Sequence, residues 1–210
     1  MMFNSLTAAG AEPAAVVEDY QGGSAKIEIM QLLSPGEKLD LSPKDVLVLG
    51  YFTSCIRETI RGGEVTIGSE ESAISGGKRK SEDIDCDGGA MISPQPTRKE
   101  AAAAVFRKGN FEKSLPKPDW TLFGKSPIFK LTKPAKEIAI ERLDTEEKIR
   151  RLKITGLIFD TSRTGISLDP SGLYKISIDR NEFHLKISPL AEDSAPILSR
   201  IVVFDASTNP

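Results

Sequence analysis

Apolar side chains recur at every second position through most of the chain, the period of a half-buried β-strand rather than of a helix. In "SAKIEIMQLL", Ile27 and Ile29 alternate with Lys26 and Glu28. "CIRETI" puts Ile56, Glu58 and Ile60 on one side and Cys55, Arg57 and Thr59 on the other. "KEIAIERLD" sets Ile138 and Ile140 against Glu137, Ala139 and Glu141. Farther on, Tyr174, Ile176 and Ile178 share one face, and Phe183, Leu185 and Ile187 point inward. "DVLVLGYF" is a short, near-continuous apolar run, the pattern of a strand buried on both sides. "SPIFKL", "RLKITGLIF" and "ILSRIVVFD" are further apolar segments. Turn chemistry separates these runs at Pro35-Gly36, at Pro43 and at Asp169-Pro170-Ser171-Gly172. Gly62-Gly63 is read as the reversal from which "EVTIG" returns. Strands every eight to twelve residues predict a sandwich or barrel.

Two regions break the alternation. Residues 68–96 are polar, Gly-rich and unpatterned, with room for one short strand around Ala90 to Ile92. "TRKEAAAAVFRKG" follows, where Thr97 and Glu100 form a capping box, the alanines favour helix, and Gly109 supplies the stop. "NFEKSLPKPDW" reads as a linker stiffened by Pro116 and Pro118. "TEEKIRRL" is balanced between loop and a helical turn opened by Thr145. No repeat of fixed period is present. The expected organisation is mostly β: a disordered terminus over 1–15, a β-domain over 16–109 ending in the one short helix, a linker over 110–118, and an antiparallel β-sandwich over 119–206.

Composition narrows the function classes. A hydrophobic fraction of 39% suits small β-domains better than one deep α/β core. Lys+Arg 28 against Asp+Glu 30, a formal net charge of -2, supplies no drive toward a polyanion, so nucleic acid is not an expected partner. No apolar run approaches the ~18 residues of a membrane-spanning helix. At the N-terminus, Ala9-Gly10-Ala11 before Glu12-Pro13 resembles the small-residue end of a secretory signal, but "MMFNSL" supplies neither a basic n-region nor an apolar h-region. The competing readings are the tail of a signal peptide and the frayed end of a cytosolic protein.

The two cysteines, Cys55 and Cys86, both lie in the expected first domain. In an exported chain they read as one disulfide, worth roughly 3 kcal/mol for a loop of that size, and it would staple the unpatterned 68–90 stretch to the sheet. The alternatives are two unpaired structural cysteines or a cytosolic redox thiol. A redox thiol needs a nearby base, and the single histidine, His184, sits on a strand of the other domain where it should face solvent. Two cysteines without a C-x-x-C spacing do not make a metal site. In "GGKRKSEDIDCDGG", a phosphate loop fails because Ser72 and Arg79 occupy positions that need Gly and Ser or Thr. Glu82, Asp83, Asp85 and Asp87 could offer oxygen ligands to calcium, but the EF-hand pattern is absent and Lys78, Arg79 and Lys80 neutralise them; a solvated, mixed-charge hairpin loop is the plainer reading. Trp120, the sole tryptophan, is either a core plug or an exposed platform for a sugar or peptide. Paired carboxylates, a nucleophile elbow and a Gly-rich dinucleotide turn are all missing. The expectation is therefore a protein that is not an enzyme and takes no cofactor.

The run from Leu33 to Ser72 resembles the FecR-like β-domain of bacterial envelope proteins. It shares a Pro35-Gly36 turn before Leu39 and Leu41, an apolar strand, and a return carrying Gly63, Val65, Ile67 and Gly68. The cysteine pair departs from that pattern. "SPIFKL" and "LDPSGLYKISI" resemble strands of a fibronectin-III or immunoglobulin-type sandwich, with Ser171-Gly172 in place of a simple Pro-Gly. These resemblances imply periplasmic or secreted modules that bind a protein partner in the cell envelope without catalysis. A carbohydrate- or peptidoglycan-binding accessory module using Trp120, and a cytoplasmic thiol-based redox protein, are the alternatives. Neither resemblance identifies a small-molecule ligand.

Overall fold

The structure is a computed structural model that describes residues 12–23, 25–88, 115–145, 149–179 and 181–204. It is mostly β, and the chain divides into two compact units, Met1–Asp83 and Ile84–Pro210. The expected helix over 97–109, the strand around Ala90 to Ile92 and the first part of the 110–118 linker lie outside the described residues. Ala14 and Ala15, expected in a disordered terminus, are instead buried, because Ala14 N–H donates to the Leu33 carbonyl at 2.8 Å and Ala15 opens the first strand.

The N-terminal unit is one six-stranded antiparallel sheet of β1 (Ala15–Gln21), β2 (Leu32–Leu33), β3 (Lys38–Tyr51), β4 (Ile56–Ile67), β5 (Ser72–Ser75) and β6 (Lys78–Asp83). Its order is β2-β1-β3-β4-β5, with β6 also pairing β4. Leu47, Leu49 and Tyr51 of β3 pack with Val17, Leu33, Ile60, Val65 and Ile67 to form the core. Val48, which alternates with them, is buried on the opposite face, as the unbroken apolar run predicts.

Gly62-Gly63 is not a turn. β4 runs through it for twelve residues, and reversal comes at Gly68–Glu71. Both glycines have positive φ, +62° and +89°, and the inward positions of β4 shift there from Glu58 and Ile60 to Val65 and Ile67. β3 bulges opposite: Leu41 pairs Gly63 while Val46 pairs Arg61, so Ser42–Asp45 face the single Gly62. Pro43 therefore sits in a bulge inside β3, where its missing N–H breaks no ladder bond. A Cβ on Gly62 would stand 3.0 Å from the Pro43 Cα, and one on Gly77 would collide with the Gly62 carbonyl. Only glycine fits this crossing.

The 68–90 stretch, expected as an unpatterned loop, carries two strands on the far side of β4. β5 pairs Ile67↔Ser72 through Glu64↔Ser75, and β6 pairs Arg61↔Lys78 through Ile56↔Asp83. Gly76-Gly77 lies between them opposite Gly62-Gly63, so both strands change phase together and the register continues without a slip.

In the C-terminal unit, β10 (Arg150–Lys153), β9 (Glu137–Arg142), β12 (Leu173–Ile178), β13 (Asn181–Glu192) and β7 (Trp120–Gly124) form one sheet. β11 (Ile158–Asp160), β8 (Ile128–Leu131) and β14 (Ile201–Phe204) form another. The chain crosses between the two sheets repeatedly, and β7–β13 and β8–β14 pair in parallel while the other ladders are antiparallel. Ile138, Ile140, Ile176, Phe183 and Leu185 are buried on the faces their alternation predicts. Arg150–Lys153, read as loop or helical turn, is a strand because β9 offers it a backbone edge, Arg150 pairing Ile140 and Lys153 pairing Glu137. The segment from Ile84 to Gly88 belongs to this unit. Ser199 Oγ donates to the Asp85 carbonyl at 2.6 Å, and Thr121 N–H donates to Asp87 Oδ2 at 2.7 Å.

Candidate functional site

A strand needs no apolar residue if its neighbour supplies the ladder, and β6 is such a strand. Its sequence, Lys78-Arg79-Lys80-Ser81-Glu82-Asp83, is exposed at every position and pairs β4 along one side. An antiparallel edge strand turns every second residue's N–H and C=O away from its partner, toward whatever lies beyond. Register divides its side chains between the faces. Arg79, Ser81 and Asp83 stand opposite Ile60, Glu58 and Ile56 on the core face, while Lys78, Lys80 and Glu82 stand opposite Arg61, Thr59 and Arg57 on the other. Glu82 is held by Arg57 at 2.9 Å, and Arg57 also donates to the nearly buried Glu18 at 2.6 Å. Burial works against the Arg57 charge, but its hydrogen bonds to Glu82 and Glu18 outweigh that and hold its pKa above the usual value. Arg61 and Lys78 face each other with like charge. Among the described residues they and Lys80 have no ion-pair partner, and neither does Asp83.

Beneath β6 lies a buried polar cluster. Glu58 is fully buried, and its carboxylate accepts from Ser72 N–H at 3.2 and 3.3 Å and from Arg79 Nη1 at 2.8 Å. Arg79 also donates to the Ser72 carbonyl at 2.6 Å and pairs with the exposed Glu71 at 3.1 Å. Tyr51 Oη shares a hydrogen bond with Ser72 Oγ at 2.7 Å. The cluster thus ties β3, β4, β5 and β6 together from inside. Burial pushes the Tyr51 phenol up to about 12 from 10.0; the Glu58 charge adds to the rise, and the Ser72 hydrogen bond works against it. A raised phenol stabilises the folded state fully below pH 10 and loses that contribution as the pH climbs from 10 to about 12. Denaturant midpoints measured across that window should fall more steeply for the native chain than for Tyr51→Phe; equal slopes would remove this account of Tyr51.

Cys55 and Cys86, singled out by the sequence, are both disulfide-bonded, so the Cys55–Cys86 pairing stands. Cys55 follows the Phe52–Ser54 turn in a left-handed conformation, φ 56°, with its N–H on the Tyr51 carbonyl at 3.1 Å. Two free thiols, which the cytoplasmic redox reading requires, are not what the chain has. Trp120 is 1% exposed and meets Phe183 edge-to-face at 4.7 Å, so its ring has no face to offer a sugar. That removes the anchor of the carbohydrate alternative. His184 is half-buried, its Nδ1 3.5 Å from Asp119, whose Oδ2 accepts the His184 backbone N–H at 2.7 Å. The acidic residues weighed as calcium ligands are dispersed: Glu82 and Asp83 lie on β6, and Asp87 accepts from Thr121. Burial pushes the Asp87 carboxyl up, and that hydrogen bond offsets part of the rise.

One small polar cleft opens between Arg142, Arg150, Asp169 and Tyr174. Arg142 already pairs with Asp144 at 2.8 Å and Asp169 at 2.6 Å, with its guanidinium 5.8 Å over the Tyr174 ring. These partners hold Arg142 above its usual pKa and Asp144 below its own, so an incoming anion would have to displace them. Reading the sequence alone missed Glu58, Ser72, Arg79 and the strand character of β6. The available signal was Glu58 alternating in phase with Ile56 and Ile60. No protein-family model, curated protein or solved structure matches the chain.

Proposed function

We propose that the chain is a non-catalytic recognition or scaffolding protein of the cell envelope that takes a protein partner by strand addition at β6. The observation that supports this reading is the exposed edge of β6: six charged or polar residues with outward backbone donors and acceptors, anchored from beneath by Glu58 and Arg79. A rigid edge recognises extended peptide through main-chain hydrogen bonds, and the side chains on its two faces set which peptide is accepted. The disulfide fits an oxidising compartment, where such bonds persist. The FecR-like and fibronectin-III-like resemblances imply modules of the same setting.

The test is selection of phage-displayed random ten-residue peptides on the full-length, oxidised chain, followed by amide NMR of the labelled chain with the enriched peptides. Enriched peptides should shift the Arg79 to Asp83 amides and slow hydrogen exchange at alternate β6 positions. Enrichment that maps elsewhere, or none at all, would overturn strand addition at this edge.

A further inference from the structure

From the order of charges along β6 we infer that the extended segment it accepts is β6 of a second copy of this chain, giving a two-fold symmetric dimer with one continuous sheet. The inference rests on the strand-addition reading above. Continuing an antiparallel sheet through a two-fold axis keeps each face on its own side, so residues opposite one another must point the same way. Only registers centred on a residue satisfy that condition. Centred on Arg79, the pairing sets Arg79 against itself and Lys78 against Lys80. Centred on Lys80, it sets Lys80 against itself at the axis, beside two attractive pairs of Lys78 with the partner's Glu82. Centred on Glu82, it sets Glu82 against itself and Asp83 against Ser81.

Centred on Ser81, every charged pair is attractive: Lys80 meets the partner's Glu82, Arg79 meets the partner's Asp83, each pair occurs twice, and the small Ser81 lies on the axis. Glu82 and Arg79 share these contacts with their own Arg57, Glu58 and Glu71. The groups this register would satisfy include Lys80 and Asp83, which have no ion-pair partner among the described residues. Directly opposed like charges disfavour the competing registers, so the same sequence that attracts its copy also selects one alignment.

Analytical ultracentrifugation of the full oxidised chain, at up to about 1 mM where weak self-association registers, should show a monomer–dimer equilibrium that weakens as salt rises. Lys80→Glu and Glu82→Lys should each weaken the dimer about tenfold, because attraction becomes repulsion at two symmetric positions. Mixing the two variants should restore dimer, since each then presents its partner with opposite charge, and the double variant should dimerise alone. Rescue on mixing also proves both variants folded. A chain that stays monomeric, or a dimer indifferent to either substitution, would overturn the inference. A monomer whose β6 amides still respond to selected peptides would retain strand addition while rejecting self-pairing, so the two failures are distinguishable.

Discussion

Trp120→Ala is expected to destabilise the C-terminal unit by about 4 kcal/mol, the range for removing a buried indole and leaving its cavity. Trp120 and Leu122 project inward from β7, and Phe183 sits at the centre of the aromatic packing beside them. Phe183 meets Trp120 edge-to-face at 4.7 Å, stacks on Phe204 at 5.4 Å and tilts against Phe129 at 6.3 Å. Deleting the indole takes away both its buried area and the edge-to-face contact, worth about 1 kcal/mol beyond area. The remaining rings belong to strands of both sheets, β8, β13 and β14, and cannot all collapse into the gap. Hydrogen exchange at the Ile176 and Leu185 amides reports the change directly. Their protection should drop roughly a thousandfold, with Trp120→Phe retaining most of it. A drop below tenfold would mean that the aromatic cluster does not hold this unit together.

That core was legible in the sequence because its residues carry their own signal. Ile138 and Ile140, Tyr174 to Ile178, and Phe183 to Ile187 alternate with polar neighbours, and the structure buries them on the faces the alternation predicts. Local chemistry also sufficed at Pro35-Gly36, where the Glu37 N–H closes the turn on the Ser34 carbonyl at 3.2 Å. Gly62-Gly63 could not be read this way. A glycine pair with positive φ has the local features of a turn, and only the bulge of β3 and the facing Gly76-Gly77 make it a crossing point inside a strand. The edge strand was hidden for a different reason. β6 contains no apolar residue, so no period exists to detect, and its conformation is imposed by β4. β10, with Leu152 as its single apolar residue, was only partly visible, overlapping both the apolar run "RLKITGLIF" and the stretch balanced between loop and helical turn.

Glu58→Ala is expected to cost about 3 kcal/mol, because it leaves the Ser72 N–H without its acceptor and takes from Arg79 the carboxylate that balances it indoors. Arg79 keeps the Ser72 carbonyl and the exposed Glu71, which holds the loss below that of a wholly orphaned charge. Replacing both members, Glu58→Met with Arg79→Met, should recover part of the loss, since an apolar pair of similar size avoids desolvating ions while Ser72 N–H stays unmet. Denaturation midpoints of the single and double variants settle the sign of that difference. A single variant within 1 kcal/mol of the parent, or a double no better than the single, would show the pair to be incidental. The consequence for function lies in β6. Its charged surface contributes no burial of its own, and the Arg79–Glu58 bond is its deepest attachment to the core. Weakening that bond should speed amide exchange across Lys78–Asp83 before the rest of the sheet responds. The ordering of this edge strand, on which the proposed strand addition depends, is thus supplied by a carboxylate one strand away.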